Sequence, residues 1–135
     1  MEIHFKIIGI LLLILGVIHA FFPRYFNWKA ELTPLSIINR QMMVVHTFFI
    51  GLTVFLMGLL CLLYSAELIQ TPFGRVICLG LGAFWFIRLI FQLFVYSALL
   101  WKGKRFETFI HILFIVLWAY ISVIFLGTVW VKGLR

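Results

Sequence analysis

Arg88 lies near the middle of a nearly uncharged run from Phe73 to Leu100, and no other long apolar stretch of this chain carries a charge at its centre. A guanidinium at mid-membrane costs about 2.5 to 3.5 kcal/mol on insertion scales, so it turns towards a bundle interior or a water-filled cavity. The chain has no Asp, and its four Glu residues all lie outside the span centres. Arg88 therefore has no obvious carboxylate partner, and hydroxyls, amides, carbonyls, water or an anionic ligand must meet its donors. Trp85, Arg88, Gln92 and Tyr96 follow steps of three, four and four, which on a helix is a single face.

Three histidines add groups that can move a proton or bind a metal. His19 is five residues before Arg24, His46 is six after Arg40 and His111 is six after Arg105. By helix rise each lies about 8 to 9 Å inward from a basic residue. All three fall on the side of the first and third loops, in one leaflet. Asn39, His46 and Thr53 recur every seven residues, and Glu107 and His111 are four apart, with Trp118 and Ser122 further along that face. Polar stripes facing lipid are expensive, so each is expected to turn inward and contribute to one pocket open towards loops one and three.

These residues support three kinds of function. The first is a site for a lipophilic molecule with a polar or anionic head, in the quinone, isoprenoid or lipid class. There Arg88, Gln92, Tyr96 and Trp85 bind the head, His46 and His111 transfer a proton, and His19 and Asn39 orient them; no cofactor is required. The second is a zinc or iron site built from His19, His46, His111 and Glu107, or a haem b held by two of the histidines with Arg88 on a propionate. No HExxH or CxxC motif supports it, although bundle sites do draw ligands from facing helices. The third is a non-catalytic subunit of a membrane complex, in which the polar leaflet grips a partner protein or a second copy.

The elements that must position these groups follow from composition. Apolar residues make up 65% of the 135 and charged residues only 11%, against roughly 25% charged in a soluble domain. Four stretches, Ile3 to Phe22, Met42 to Tyr64, Phe73 to Leu100 and Phe109 to Val131, each approach or exceed the ~20 residues needed to cross hydrocarbon. The expected fold is all-α, a single integral-membrane domain built as an antiparallel, up-down four-helix transmembrane bundle. The first stretch lacks a positively charged n-region and a small-residue cleavage site, so it reads as a retained helix and not a secretory signal.

Thr33-Pro34 reads as an N-cap followed by proline at the first helical position, which starts the second helix near residue 34. Tyr25, Phe26 and Trp28 beside Arg24 and Lys29 form an interfacial anchor, as does Trp101 beside Lys102, Lys104 and Arg105. Gly9 and Gly16, and likewise Gly51 and Gly58, are seven apart, a face on which backbones can approach closely. Cys61 and Cys78 read as small buried hydrophobes. No serine or cysteine is set beside a histidine and an orienting carboxylate for nucleophilic catalysis, and no phosphate-binding or dinucleotide motif occurs. A pore would need oligomerisation, since four helices leave little room for one.

The net charge of +7 is spread along the helix flanks, which suits anionic lipid headgroups and gives no clustered face for nucleic acid. Six Lys and Arg residues flank the first and third loops, against four at the termini and second loop. That excess places loops one and three in the cytoplasm and both termini outside. In sealed inside-out vesicles trypsin should therefore cut the third loop at Lys102 to Arg105. Cutting there in right-side-out vesicles instead would reverse the orientation.

Overall fold

The computed structural model describes residues 1–133, with side chains as far as Trp130; the flanking charges of Lys132 and Arg135 lie outside the described side chains. Among the described residues every regular element is helical. Four helices are long and apolar enough to cross a membrane: Glu2–His19, Ile37–Leu63, Pro72–Phe94 and Arg105–Trp130. The chain is an all-α, multi-pass membrane protein. It forms two compact units, Glu2–Ser65 and Ala66–Arg135, with Met1 grouped with the latter.

The first unit pairs α1 (Glu2–His19) with α4 (Ile37–Leu63). Between them α2 (Phe22–Tyr25) and α3 (Trp28–Glu31) are single turns, separated by Asn27 in the left-handed region at φ 49°. Asn tolerates that conformation better than most side chains. The seam between α1 and α4 is made by Ile8, Gly9, Leu12 and Gly16 on one side and by Gly51, Val54 and Gly58 on the other. A Cβ on Gly16 would lie 2.9 Å from the Gly51 carbonyl oxygen, and one on Gly58 would lie 2.8 Å from that of Gly9. Close approach of backbones replaces the hydrophobic drive that lipid removes.

The second helix of spanning length begins three residues later than Thr33-Pro34 implies. Ser36 is its N-cap and accepts a long bond of 3.4 Å from the Asn39 N–H. Thr33 points back instead, its hydroxyl donating to the Lys29 carbonyl at 3.0 Å and closing the end of α3. A threonine that satisfies the helix behind it is not free to cap the one ahead.

The second unit takes in the short α5 (Ser65–Gln70) from Ala66 onward and pairs α6 (Pro72–Phe94) with α7 (Arg105–Gly133). Thr71 caps α6, accepting from the Gly74 N–H at 2.9 Å while donating to the Glu67 carbonyl at 2.8 Å, and Pro72 follows in the first turn. Cys78, Trp85 and Gln92, seven apart, lie on the buried face of α6; Trp118, Ile121, Ser122, Phe125 and Thr128 supply the buried side chains of α7.

The helix does not continue to Leu100, as the apolar run suggests. It stops at Phe94, and a 3₁₀ turn at Ala98–Leu100 follows, where the Ser97 hydroxyl accepts from the Leu99 N–H at 3.3 Å. The chain reverses through Gly103 at φ 79°. Arg88 is consequently six residues from the end of its helix, about 9 Å by helix rise. It is not at the helix centre.

The contrast between glycines is testable. Gly58→Val should lower thermal stability in detergent by about 1 to 3 kcal/mol, the usual range for overpacking, because the added carbons meet backbone. Gly80, where an added Cβ would find nothing within 4 Å, should accept valine with little change; equal losses at both positions would refute the close-packed seam.

Candidate polar and aromatic site of the second hairpin

The α6–α7 hairpin gathers Arg88, Gln92, Tyr96, His111, Trp85 and Trp118, the six residues that sequence spacing grouped on two separate faces. Arg88 is half-buried. Its Nη1 donates to Gln92 Oε1 and its Nη2 to the Tyr96 hydroxyl, both at 3.4 Å. These distances are at the long end for hydrogen bonds. Its Cζ lies 5.4 Å from the Trp118 ring centroid and 5.5 Å from that of Tyr96, close enough for cation–π attraction of roughly 0.5 to 2 kcal/mol. The guanidinium is thus held by an amide, a phenol and two π faces, with no carboxylate.

Gln92 connects Arg88 to His111. It is 7% exposed and lies on the α6 seam, and its Nε2 is 2.9 Å from His111 Nδ1. A guanidinium can only donate, so Gln92 must present its oxygen to Arg88 and its amide N–H to the histidine. His111 then accepts at Nδ1 and carries its proton at Nε2. The network itself fixes this tautomer. Trp101 stacks on the imidazole with centroids 4.7 Å apart and planes at 12°. It is held there by the Thr108 hydroxyl, which donates to the Trp101 carbonyl at 2.7 Å.

Trp118 stacks on Trp85 at 4.8 Å and on Phe114 at 5.4 Å. Each such pair contributes about 0.5 to 1.5 kcal/mol beyond area burial. The indole N–H groups of Trp85, Trp101 and Trp118 are buried without a hydrogen-bond partner among the described residues. Buried indole donors are normally paired, and one left unmet costs about 1 to 3 kcal/mol. Three in one hairpin is the least expected feature of the molecule.

Tyr96 was expected on the helical face of Arg88, yet it lies beyond the end of α6 and reaches Arg88 from the turn. Ser122 spends its hydroxyl on the Trp118 carbonyl of its own helix at 2.7 Å. Glu107 is exposed in the first turn of α7, where its charge suits the helix dipole. In the first hairpin His19 Nδ1 lies 2.7 Å from the Leu15 carbonyl oxygen and its ring packs on Phe22 at 4.7 Å. Asn39, His46 and Thr53 are exposed. Their stripe is not the α4 face that packs on α1, which glycine and valine occupy. Among the described residues no group of three or more His, Cys, Asp or Glu comes together to hold a metal ion.

Two contributors escaped the sequence reading. Trp101 read as an interfacial anchor, and only the reversal at Gly103 returns it to His111. The unmet indole donors leave no trace in residue spacing.

If Gln92 bridges the helices as described, a double-mutant cycle of Gln92→Leu and His111→Phe should give a coupling of about 0.6 to 1.7 kcal/mol, the range for interhelical hydrogen bonds in membranes. A coupling indistinguishable from zero would show that the pair makes no energetic contact.

Comparison of the chain with protein-family models, with curated proteins and with solved structures returned no match.

Proposed function

We propose that this membrane protein binds, and in one form of the reading acts on, a lipophilic molecule through its polar head, which is received by the Arg88, Gln92 and Tyr96 cluster of the second hairpin. The observation that carries the reading is a guanidinium in a spanning helix whose partners among the described residues are neutral, both at 3.4 Å, in a hairpin whose buried indole donors have none among those residues. A cation needed only to join two helices would be a costly choice, since an amide or hydroxyl does that without a charge. The charge is useful when something negative or strongly polar arrives.

The site lies at the loop-three end of its hairpin, which the charge bias assigns to the cytoplasmic side. A head entering there keeps its tail in hydrocarbon, so binding need not carry the molecule through water. His111, neutral and with its N–H at Nε2, is the proton-transfer candidate of the cluster. It offers a hydrogen bond from Nε2 while Gln92 and Trp101 hold the ring in place, and it can give up a proton only after taking one at Nδ1 in exchange for the Gln92 bond. The reading as a subunit of a larger complex makes Arg88 an anchor for a partner's carboxylate instead.

Purified in mild detergent, the protein should show no haem band and should carry a lipophilic molecule in near-stoichiometric amount, measured by mass spectrometry of the extract. Arg88→Leu should lose most of that molecule while keeping its helical circular dichroism. Retention of the same lipid content by Arg88→Leu, or a gain in stability with nothing else altered, would remove the ligand reading and leave the subunit reading in front. A haem band would replace both.

A further inference from the structure

We infer that the head group received at this site is an acceptor-only anion, a carboxylate or a phosphate, carried on a lipophilic tail; the inference rests on the ligand reading above and narrows it. The argument is an inventory of donors and acceptors around Arg88. Gln92 Oε1 already accepts from Arg88 and has one lone pair left, and Gln92 Nε2 gives one of its two N–H groups to His111. The Tyr96 oxygen already receives Arg88 Nη2.

On the donor side Arg88 has five N–H groups, of which these contacts use two, both long. His111 keeps its Nε2–H. Trp85, Trp118 and Trp101 carry indole N–H groups that are closed off from the surface and without partners among the described residues, so a head meets them only when the Trp85–Trp118 and Trp101–His111 stacks open. Donors thus outnumber free acceptors, and the only formal charge in the cluster is positive.

That imbalance discriminates among heads. An ammonium or choline head would bring a like charge towards Arg88. An alcohol would supply an acceptor but no charge. A quinone carbonyl accepts hydrogen bonds yet leaves the guanidinium uncompensated in a medium of low dielectric, where unpaired charge is most costly. A carboxylate or phosphate offers only acceptors, brings the missing negative charge, and forms the stronger charge-assisted, two-pronged bonds for which a guanidinium is shaped. The tail requirement follows from position: Arg88 lies about 9 Å from the end of α6 by helix rise, and its helix neighbours Phe84, Ile87 and Phe91 are exposed apolar side chains that suit a hydrocarbon chain.

The test is direct binding to the purified full chain in detergent, read by quenching of tryptophan fluorescence and by shifts of isotope-labelled indole N–H resonances. The probes are oleate and dioleoyl phosphatidate, compared with oleyl alcohol, oleylamine, decylubiquinone, butyrate and inorganic phosphate. Oleate and phosphatidate should bind at least about tenfold more tightly than any of the others and should shift indole resonances of Trp85, Trp101 or Trp118. Arg88→Leu should abolish the preference. Trp118→Phe and Trp85→Phe keep an aromatic ring and remove only the donor edge, and each should weaken oleate binding by about threefold to tenfold even if Arg88→Leu fails to fold.

Equal binding of oleyl alcohol, oleylamine or decylubiquinone, with dependence on Arg88, would overturn the anion while leaving the ligand reading standing. Equal binding of butyrate or inorganic phosphate would overturn the tail and assign the site to a free anion. If no lipophilic probe binds in an Arg88-dependent way, both the inference and the reading it rests on fall. Binding of oleate undiminished in both tryptophan variants would overturn the donor inventory from which the anionic head is inferred.

Discussion

The second hairpin is organised by the need to accommodate one guanidinium without a carboxylate. In a low-dielectric surrounding an isolated charge is far more costly than a neutral polar group, and the chain has no Asp and no Glu near Arg88 to offset it. Each described contact of Arg88 therefore stabilises a cation without cancelling it: the Gln92 amide oxygen, the Tyr96 hydroxyl and the aromatic faces of Tyr96 and Trp118. Because guanidinium nitrogens only donate, the constraint propagates outward. It orients the Gln92 amide, which selects the tautomer of His111, whose ring is then covered by Trp101. One fixed charge sets the hydrogen-bond direction of the whole cluster.

The first hairpin solves a different problem. Where α1 meets α4 there is little polarity to exploit, and lipid gives no hydrophobic reward for bringing two apolar helices together. Contact comes from removing side chains, so that Gly16 approaches Gly51 and Gly9 approaches Gly58 at backbone distance. The two halves of the chain thus use the two devices available to helices in a membrane, close backbone packing and interhelical hydrogen bonding. Only the second device leaves groups with chemistry to spare.

Much of this was legible in the chain. The four apolar runs required spanning helices because nothing else satisfies a backbone in hydrocarbon, and the heptad glycines correctly marked a close approach. The set Trp85, Arg88 and Gln92 was readable because helix periodicity puts residues three and four apart on one face. Boundaries were less legible. Hydropathy runs on through Val95 to Leu100 with no break, yet the helix ends at Phe94 and Ser97 caps a 3₁₀ turn beyond it, while the hydroxyl of Thr33 turns backwards so that Ser36 becomes the cap. Apolar character reports what can sit in a membrane and says little about which backbone conformation it takes there.

By itself the sequence determined that this is an all-helical, multi-pass membrane protein and that Arg88 must find partners without a carboxylate, since both conclusions depend only on composition and on local periodicity. It could not determine who those partners are. The contacts from Gln92 to His111, from Arg88 to Trp118 and from Trp101 to His111 join residues distant in the chain or separated by a turn, and they exist because α6 and α7 pack in one register. The three indole N–H groups without partners among the described residues are likewise a property of that packing, because whether a donor is met depends on what lies against it in space. The charge was written in the chain, whereas the surplus of donors around it is decided only when the two helices meet.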